Sequence, residues 1–327
     1  MRFCPYGESE AIPNIVVDGS PNAATVLTLT HWPGIAQPDG LAADLSAEMA
    51  FNYIAAPPPH AAAEVVTNNH FDQDGLASVY TLTEPEAAQA NRERLIDLAA
   101  AGDFATYQFR EAARASMTVW AYAQPDRSPL GSRIEGPYDP ACALLYETML
   151  PLVGSLLDDS ERYRDLWAEE DEQLTASERA IADGQVSIDE VPELDLAIVN
   201  VNADDLTGGH RFASSTSDFV HPMALHNATN CCRLLVMRGH QYLYADRYET
   251  WVQYQSRRLP RRVDLAPLAA QLEALEASAT TWSATPPSGL TPELRCSGSS
   301  SLDPAAVQQA VIDHLRTAPP AWDPFRR

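Results

Sequence analysis

Three short apolar runs, each closed by polar or turn-forming residues, constrain the N-terminal part of this chain most. They are Asn14-Ile15-Val16-Val17-Asp18-Gly19, then Ala24-Thr25-Val26-Leu27-Thr28-Leu29-Thr30 ahead of His31-Trp32-Pro33-Gly34, and Ala63-Glu64-Val65-Val66-Thr67-Asn68-Asn69. Runs of this length, rich in β-branched residues, read as buried strands. From Gly40 to Ala55 the spacing of Leu41, Leu45, Met49 and Phe51 fits a helix with one apolar face, and Pro57-Pro58-Pro59 cannot continue it. Leu76 to Tyr80 opens another apolar element. Strand, turn and helix in succession predict an α/β fold with a parallel sheet in the N-terminal domain.

Beyond Glu84 the composition is helical to about Ser187, which reads as a helical insertion. Within it, Asp158 to Asp195 holds 14 carboxylates against three arginines, the signature of a solvated helical pair or linker. A strand resumes at Leu194 to Val201, so a boundary is expected near 190. The expected organisation is a metal-binding α/β domain over 1–190 and a smaller α+β domain over 191–327, with a strand-like tract from Gln241 to Ser256 and helices over Leu265 to Leu275 and Pro304 to Leu315.

Charge narrows the function classes. The 45 carboxylates outnumber 22 cationic side chains, all of them arginine, for a net charge of −23. Without lysine there can be no Walker-type phosphate loop, pyridoxal Schiff base or lysine general base. A long nucleic acid is disfavoured as a partner, because polyanions bind mainly through cationic contacts to phosphate. No run approaches the roughly 18 apolar residues of a membrane span. A small anionic substrate is compatible with local charge: Arg233 to Arg262 carries seven arginines against two carboxylates. A homodimer is left open. Five cysteines, an odd number, and a start at Met1-Arg2-Phe3-Cys4-Pro5-Tyr6 without an apolar stretch predict a cytoplasmic protein with reduced thiols.

The chemistry concentrates in His70-Phe71-Asp72-Gln73-Asp74-Gly75. On a loop leaving a buried strand, alternate residues project to one side, so His70, Asp72 and Asp74 are expected to converge where parallel sheets hold ligands. Imidazole plus carboxylates suits Mn²⁺ or another first-row divalent ion, and Gly75 would allow a sharp turn into the next helix. A calcium hand does not fit, because Thr83 stands at the twelfth position, where glutamate is required.

This tract resembles the first motif, His-x-Asp-x-Asp-Gly with a small or hydroxyl residue three places on, of the DHH family of metal-dependent phosphoesterases; here it continues as Leu76-Ala77-Ser78. That family adds a lone Asp at a strand end and an Asp-His-His strand, and the latter triplet is missing from this chain. Ile15-Val16-Val17-Asp18-Gly19 looks like the lone-Asp strand. Leu27-Thr28-Leu29-Thr30-His31-Trp32-Pro33-Gly34 looks like an Asp-His-His strand with Thr30 and Trp32 in the outer positions. Ala43-Asp44-Leu45-Ser46-Ala47-Glu48-Met49-Ala50-Phe51 is similar to the family's tract opening the next helix. The motif order is permuted, which a parallel sheet tolerates when the termini lie close. The resemblance implies metal ligation by Asp18, His70, Asp72 and Asp74, a place for His31 beside metal or substrate, and a last family Asp at Asp103. For the C-terminal domain it implies substrate binding by His210 and Arg211 of Gly208-Gly209-His210-Arg211, and by Arg257 and Arg258.

The expected function is therefore a divalent-metal-dependent hydrolase of phosphoesterase type, using Mn²⁺ or Mg²⁺ on a small phosphorylated or anionic substrate. His31 and Asp103 are its expected catalytic residues. Two alternatives stand beside it. His70-x-Asp72 is also half of a 2-His-1-carboxylate triad, which with His210, His221, His226 or His240 would hold Fe²⁺ in a jelly-roll 2-oxoglutarate oxygenase. The incomplete Asp-His-His strand would equally suit a non-catalytic binding protein. His221 and His226, five residues apart, make no standard zinc pattern, and Cys231-Cys232 in an apolar tract reads as a pair of buried thiols.

Overall fold

A computed structural model of the chain describes residues 1–203, 206–207 and 218–326. The chain divides into two compact units, Met1–Asp171 and Glu172–Arg326.

The first unit is built on a four-stranded, wholly parallel sheet of β1 (Arg2–Phe3), β2 (Asn14–Val17), β3 (Thr25–Leu29) and β4 (Val65–Thr67), in the order β1-β4-β2-β3. Every residue of β2 and β4 is buried, as expected of parallel strands covered on both faces. Strands β2 and β3 are neighbours joined without a helix. Asn14 organises this short crossover: its Nδ2 donates to the carbonyls of Ser9 and Ile12 and to Asn22 Oδ1, and its Oδ1 accepts from the Thr25 hydroxyl.

Helix α1 (Ser46–Ala55) connects β3 to β4, and α2 (Gln73–Thr83) follows β4. Ten of the eleven α2 residues, Gln73 to Leu82, are buried, so this helix is the internal spine of the unit. Around it come α3 (Pro85–Ala90), α4 (Arg92–Asp103), α5 (Arg110–Tyr122), α6 (Tyr138–Met149), α7 (Val153–Asp158) and the start of α8 (Arg164–Ala182). The stretch Tyr138–Asp158 is long and apolar enough to cross a membrane by length and composition, unlike the sequence expectation. Its apolar side chains Leu145, Tyr146, Met149, Val153, Leu156 and Leu157 are buried in the protein, where they form core.

The acidic tract is less solvated than its composition predicts. Glu170 and Asp171 are buried, and Asp171 Oδ1 accepts from Arg110 Nε at 2.7 Å and Arg114 Nε at 3.2 Å. These guanidiniums hold the Asp171 carboxyl below the usual carboxylate range against the opposing effect of burial.

The second unit begins within α8, ahead of the expected break near 190. The reason is β5 (Val186–Val191), whose acidic alternation hides an edge strand paired antiparallel with β6 (Leu196–Val201). With β7 (Arg233–Arg238), β8 (Gln241–Asp246), β9 (Arg262–Val263), β10 (Trp282–Ala284), β11 (Glu293–Cys296) and β12 (Pro320–Trp322), these strands form a mixed six-stranded sheet, β10-β11-β8-β7-β6-β5, and a small β9–β12 pair. Helices α9 (Pro222–Ala228), α10 (Ala266–Leu275) and α11 (Pro304–Thr317) complete the α+β unit. The strand-like tract from Gln241 ends at Asp246, where the ladder with Arg233 stops and the chain turns through Tyr248–Thr250. Cys231 and Cys232 are free and buried.

Candidate metal centre

Because β2, β3 and β4 are parallel, their carboxyl ends share one edge, the usual ligand edge of such sheets. Asp18 directly follows β2. Its backbone is left-handed, at φ 46°, and its N–H donates to the Leu29 carbonyl at 2.8 Å. Aspartate tolerates that conformation better than most residues. At the next position Gly19 runs so close to the Asn68 and Asn69 side chains that a Cβ would not fit. Asn69 Oδ1 in turn accepts the Ser20 N–H at 3.0 Å.

His31 lies just past β3 and is fully buried. Its Nδ1 stands 2.6 Å from the Asp44 carbonyl oxygen. A carbonyl only accepts, so Nδ1 carries a proton and Nε2 is the ring nitrogen turned to the centre. Nε2 faces acids: Asp18 Oδ1 at 3.4 Å, Asp103 Oδ2 at 3.4 Å and Asp74 Oδ2 at 4.0 Å. Asp103 comes from the last position of α4.

After β4 the chain supplies three more groups. Asp72 is the N-cap of α2, its Oδ1 accepting the Gly75 N–H at 2.8 Å. Its Oδ2 lies 2.9 Å from His70 Nε2, which is also 3.3 Å from Asp18 Oδ2. Asp74, in the first turn of α2, accepts the Ser46 N–H at 2.8 Å and the Ala47 N–H at 2.7 Å, capping α1. The Ser46 hydroxyl donates to Asp18 Oδ1 at 2.8 Å.

The result is two groups of potential ligands, Asp18/His31/Asp74/Asp103 and Asp18/His70/Asp72, each with its donor atoms within 4.8 Å of one another. Asp18 belongs to both. Burial, then the charge of Asp72, raises the Asp18 carboxyl above its ordinary range. Burial, then Asp18 and Asp72, holds Asp74 well above it. Burial works against a charged His70, but Asp72 and Asp18 outweigh it and raise the imidazole well above its usual value. Burial likewise opposes ionisation of Asp72, yet His70 lowers its carboxyl overall. Acids packed this tightly hold protons unless a cation stands among them.

A family profile matches the chain over residues 1–326. The chain belongs to DUF6687, a family of unknown function. Comparison with the curated proteins and with the solved structures returns no match.

In this DUF6687 protein the structure brings together Asp18, His31, His70, Asp72, Asp74 and Asp103, separated by up to 85 positions in sequence. The expected convergence of His70, Asp72 and Asp74 on one group needs correction. The backbone becomes helical at Gln73, so the alternation of an extended chain stops, and Asp74 joins His31 while Asp72 stays with His70. Gly75 does not make a turn either; it lies inside α2, where Asn68 and Tyr146 come too close for a Cβ. His210 and Arg211 lie outside the described residues. Arg257 is held by Asp195 Oδ2 at 2.7 Å and by the Asn230 carbonyl, and with Arg258 it lines a surface cavity of the second unit. Sequence reasoning did not single out the Ser46 hydroxyl, the Asp44 carbonyl or Asn68 as parts of the centre. The only signal was the small, polar opening of α1, Ala43-Asp44-Leu45-Ser46.

Proposed function

We propose that this protein is a divalent-metal-dependent hydrolase of phosphoesterase type, acting on a small phosphorylated or otherwise anionic substrate. The observation that carries the reading is the sharing of Asp18 between the two ligand groups. The donor set fits the proposed ion: imidazole nitrogen with carboxylate oxygen suits Mn²⁺ or another first-row divalent ion, better than Mg²⁺ with its preference for oxygen alone, and buried carboxyls raised by one another are what a cation would relieve. Asp18, His31, Asp74 and Asp103 would hold one ion, and Asp18, His70 and Asp72 a second. When bound, such ions lower the pKa of water and offset charge on the reacting centre.

The chain's own residues have distinct parts in this reading. The Asp44 carbonyl keeps the His31 proton on Nδ1, so that Nε2 is directed inward. Ser46 fixes one oxygen of Asp18, while the α1 N–H groups fix both oxygens of Asp74. His70, partly exposed beside Asp72, would hold the second ion from the more open side of the centre. The meeting of Asp18, His31, His70 and Asp103 at one sheet edge also supports the likeness to the DHH phosphoesterases in permuted order. Arg257 and Arg258 remain the proposed contacts to substrate anion. A cytoplasmic, reducing setting belongs to the same reading, in keeping with five free, buried cysteines. The Fe²⁺ oxygenase alternative is not favoured, because the strands around His70 are parallel and helix-covered, where it needs an antiparallel jelly roll.

The test is Mn²⁺ binding by equilibrium dialysis together with hydrolysis of bis(p-nitrophenyl) phosphate, for the natural chain and Asp18→Asn. Mn²⁺ binding and turnover, both lost in the variant, are expected. Binding without turnover would favour a non-catalytic metal protein; the absence of binding, or undiminished activity in the variant, would overturn the reading.

A further inference from the structure

Beside the metal centre, two buried polar atoms lack hydrogen-bond partners. They are Asn68 Nδ2 and Tyr146 Oη, on residues that are 1% and 0% exposed. Both crowd Gly75. The Tyr146 hydroxyl lies 2.5 Å from the point where a Cβ on Gly75 would stand, Asn68 Nδ2 is closer still, and Asp72 Oδ1 is 3.1 Å from the same point. Burying a donor without an acceptor forfeits its hydrogen bond to water with nothing in return, so an amide and a phenol left so together call for a partner.

We infer that Asn68 and Tyr146 hold a water molecule against the Asp72 carboxylate, and that both are positioning residues for Asp72. This rests on the metal-centre reading above. Donors and acceptors balance. Asn68 Oδ1 already accepts the His70 N–H at 3.0 Å, which fixes the amide with Nδ2 as donor toward Gly75. Asp72 Oδ1 takes the Gly75 N–H and keeps a second lone pair. A water accepting from Asn68, donating to Asp72 and bonded to the Tyr146 hydroxyl completes all three, within the two to four partners that a buried water needs. With Oδ1 anchored in this way, Oδ2 stays turned to His70 and Asp18. Glycine at 75 has its reason here: alanine is the better helix former, but its methyl group would run into Asn68 Nδ2 and the Tyr146 hydroxyl and push them out of place.

Two measurements test this. A crystal structure of the natural chain should contain a water within hydrogen-bond distance of Asn68 Nδ2, Tyr146 Oη and Asp72 Oδ1; a void, or Asn68 bonded directly to Tyr146, overturns the inference. Tyr146→Phe should weaken Mn²⁺ binding about tenfold by titration calorimetry, as loss of an outer-shell anchor does, with the metal-free melting temperature little changed. An unchanged Mn²⁺ affinity with a raised melting temperature, the result for a hydroxyl that was merely unsatisfied, overturns it. Should Tyr146→Phe fail to fold, Gly75→Ala, whose methyl group would push Asn68 Nδ2 and the Tyr146 hydroxyl away from the water, is expected to give the same loss of affinity, and unchanged affinity there is equally fatal. If the natural chain binds no Mn²⁺, the metal-centre reading fails, and the positioning role fails with it.

Discussion

Asp74 caps a helix that is not its own. From the first turn of α2 it accepts the backbone N–H of Ser46, the first residue of α1, at 2.8 Å. The positive end of α1 thus stabilises a carboxylate facing His31. Ser46 returns a second contact, from its hydroxyl to Asp18. One helix start therefore orients two acids of the centre.

The two Ser46 contacts can be separated. Ser46→Ala keeps the N–H to Asp74 and removes the hydroxyl to Asp18. The expected outcome is a loss of about 1 kcal/mol in urea unfolding and a several-fold weaker Mn²⁺ affinity by calorimetry. Unchanged affinity would mean that the hydroxyl does not orient Asp18.

Asp18→Asn should act in opposite senses on stability and binding. Removing a buried carboxyl that its surroundings raise should increase the melting temperature of the metal-free protein, and asparagine tolerates the left-handed backbone. Mn²⁺ content by elemental analysis should fall at both positions, beyond the roughly 10–100-fold loss typical of outer-shell changes.

Stability should depend on pH in a defined direction. Asp18, Asp74 and His70 all have raised folded-state values, so each contributes stability that is complete below its unfolded pKa, about 3.9 for the acids and 6.5 for histidine, and is lost as pH rises through the folded value. Asp72, lowered, contributes stability above about 3.9 and loses it as pH falls through its folded value. The metal-free melting temperature should therefore decline from mildly acidic toward alkaline pH. Added Mn²⁺ should reverse the decline, with protons released on binding, as calorimetry in buffers of different ionisation enthalpy would record. A flat profile would contradict the burial of these acids.

Arg262 offers a test in the second unit. Burial pulls its guanidinium down to about 10, and its donors go to the Thr250 hydroxyl and the carbonyls of Pro287, Gly289 and Leu290. Arg262→Ala should cost about 3–5 kcal/mol by leaving the Thr250 hydroxyl oxygen and those carbonyls without their donor and by removing a cation that offsets the buried Asp246. Because every ligand of the centre comes from the first unit, Mn²⁺ affinity should persist at temperatures where the variant still folds.

Much of this molecule was legible in local pattern. Strands β2, β3 and β4 are short apolar runs stopped by polar residues, and parallel topology follows from their alternation with helices; helix α1 was expected from Gly40 but starts at Ser46, so that Leu41 and Leu45 of the expected apolar face lie ahead of it. His70, Asp72 and Asp74 stand in one short motif where the third run ends, which was enough to nominate them, whereas Asp18 and His31 were nominated through the family resemblance of the runs that they close. Strand β1 escaped notice because two residues have no periodicity; Arg2–Phe3 is a strand only because β4 offers it a parallel edge. Strand β5 escaped because an acidic edge strand differs little in composition from a solvated helix.

Tertiary structure alone decided how the acids are shared. Whether Asp74 joins Asp72 or His31 depends on where α2 starts and on the amides of α1, 28 positions earlier. That the Tyr146 hydroxyl, from α6, reaches Gly75 in α2 depends on tertiary packing, which no local pattern encodes. Residue type determines which atoms can donate, accept or ligate. Only close packing of distant segments determines which of them meet, because contacts at hydrogen-bond range change with shifts far smaller than sequence spacing can specify.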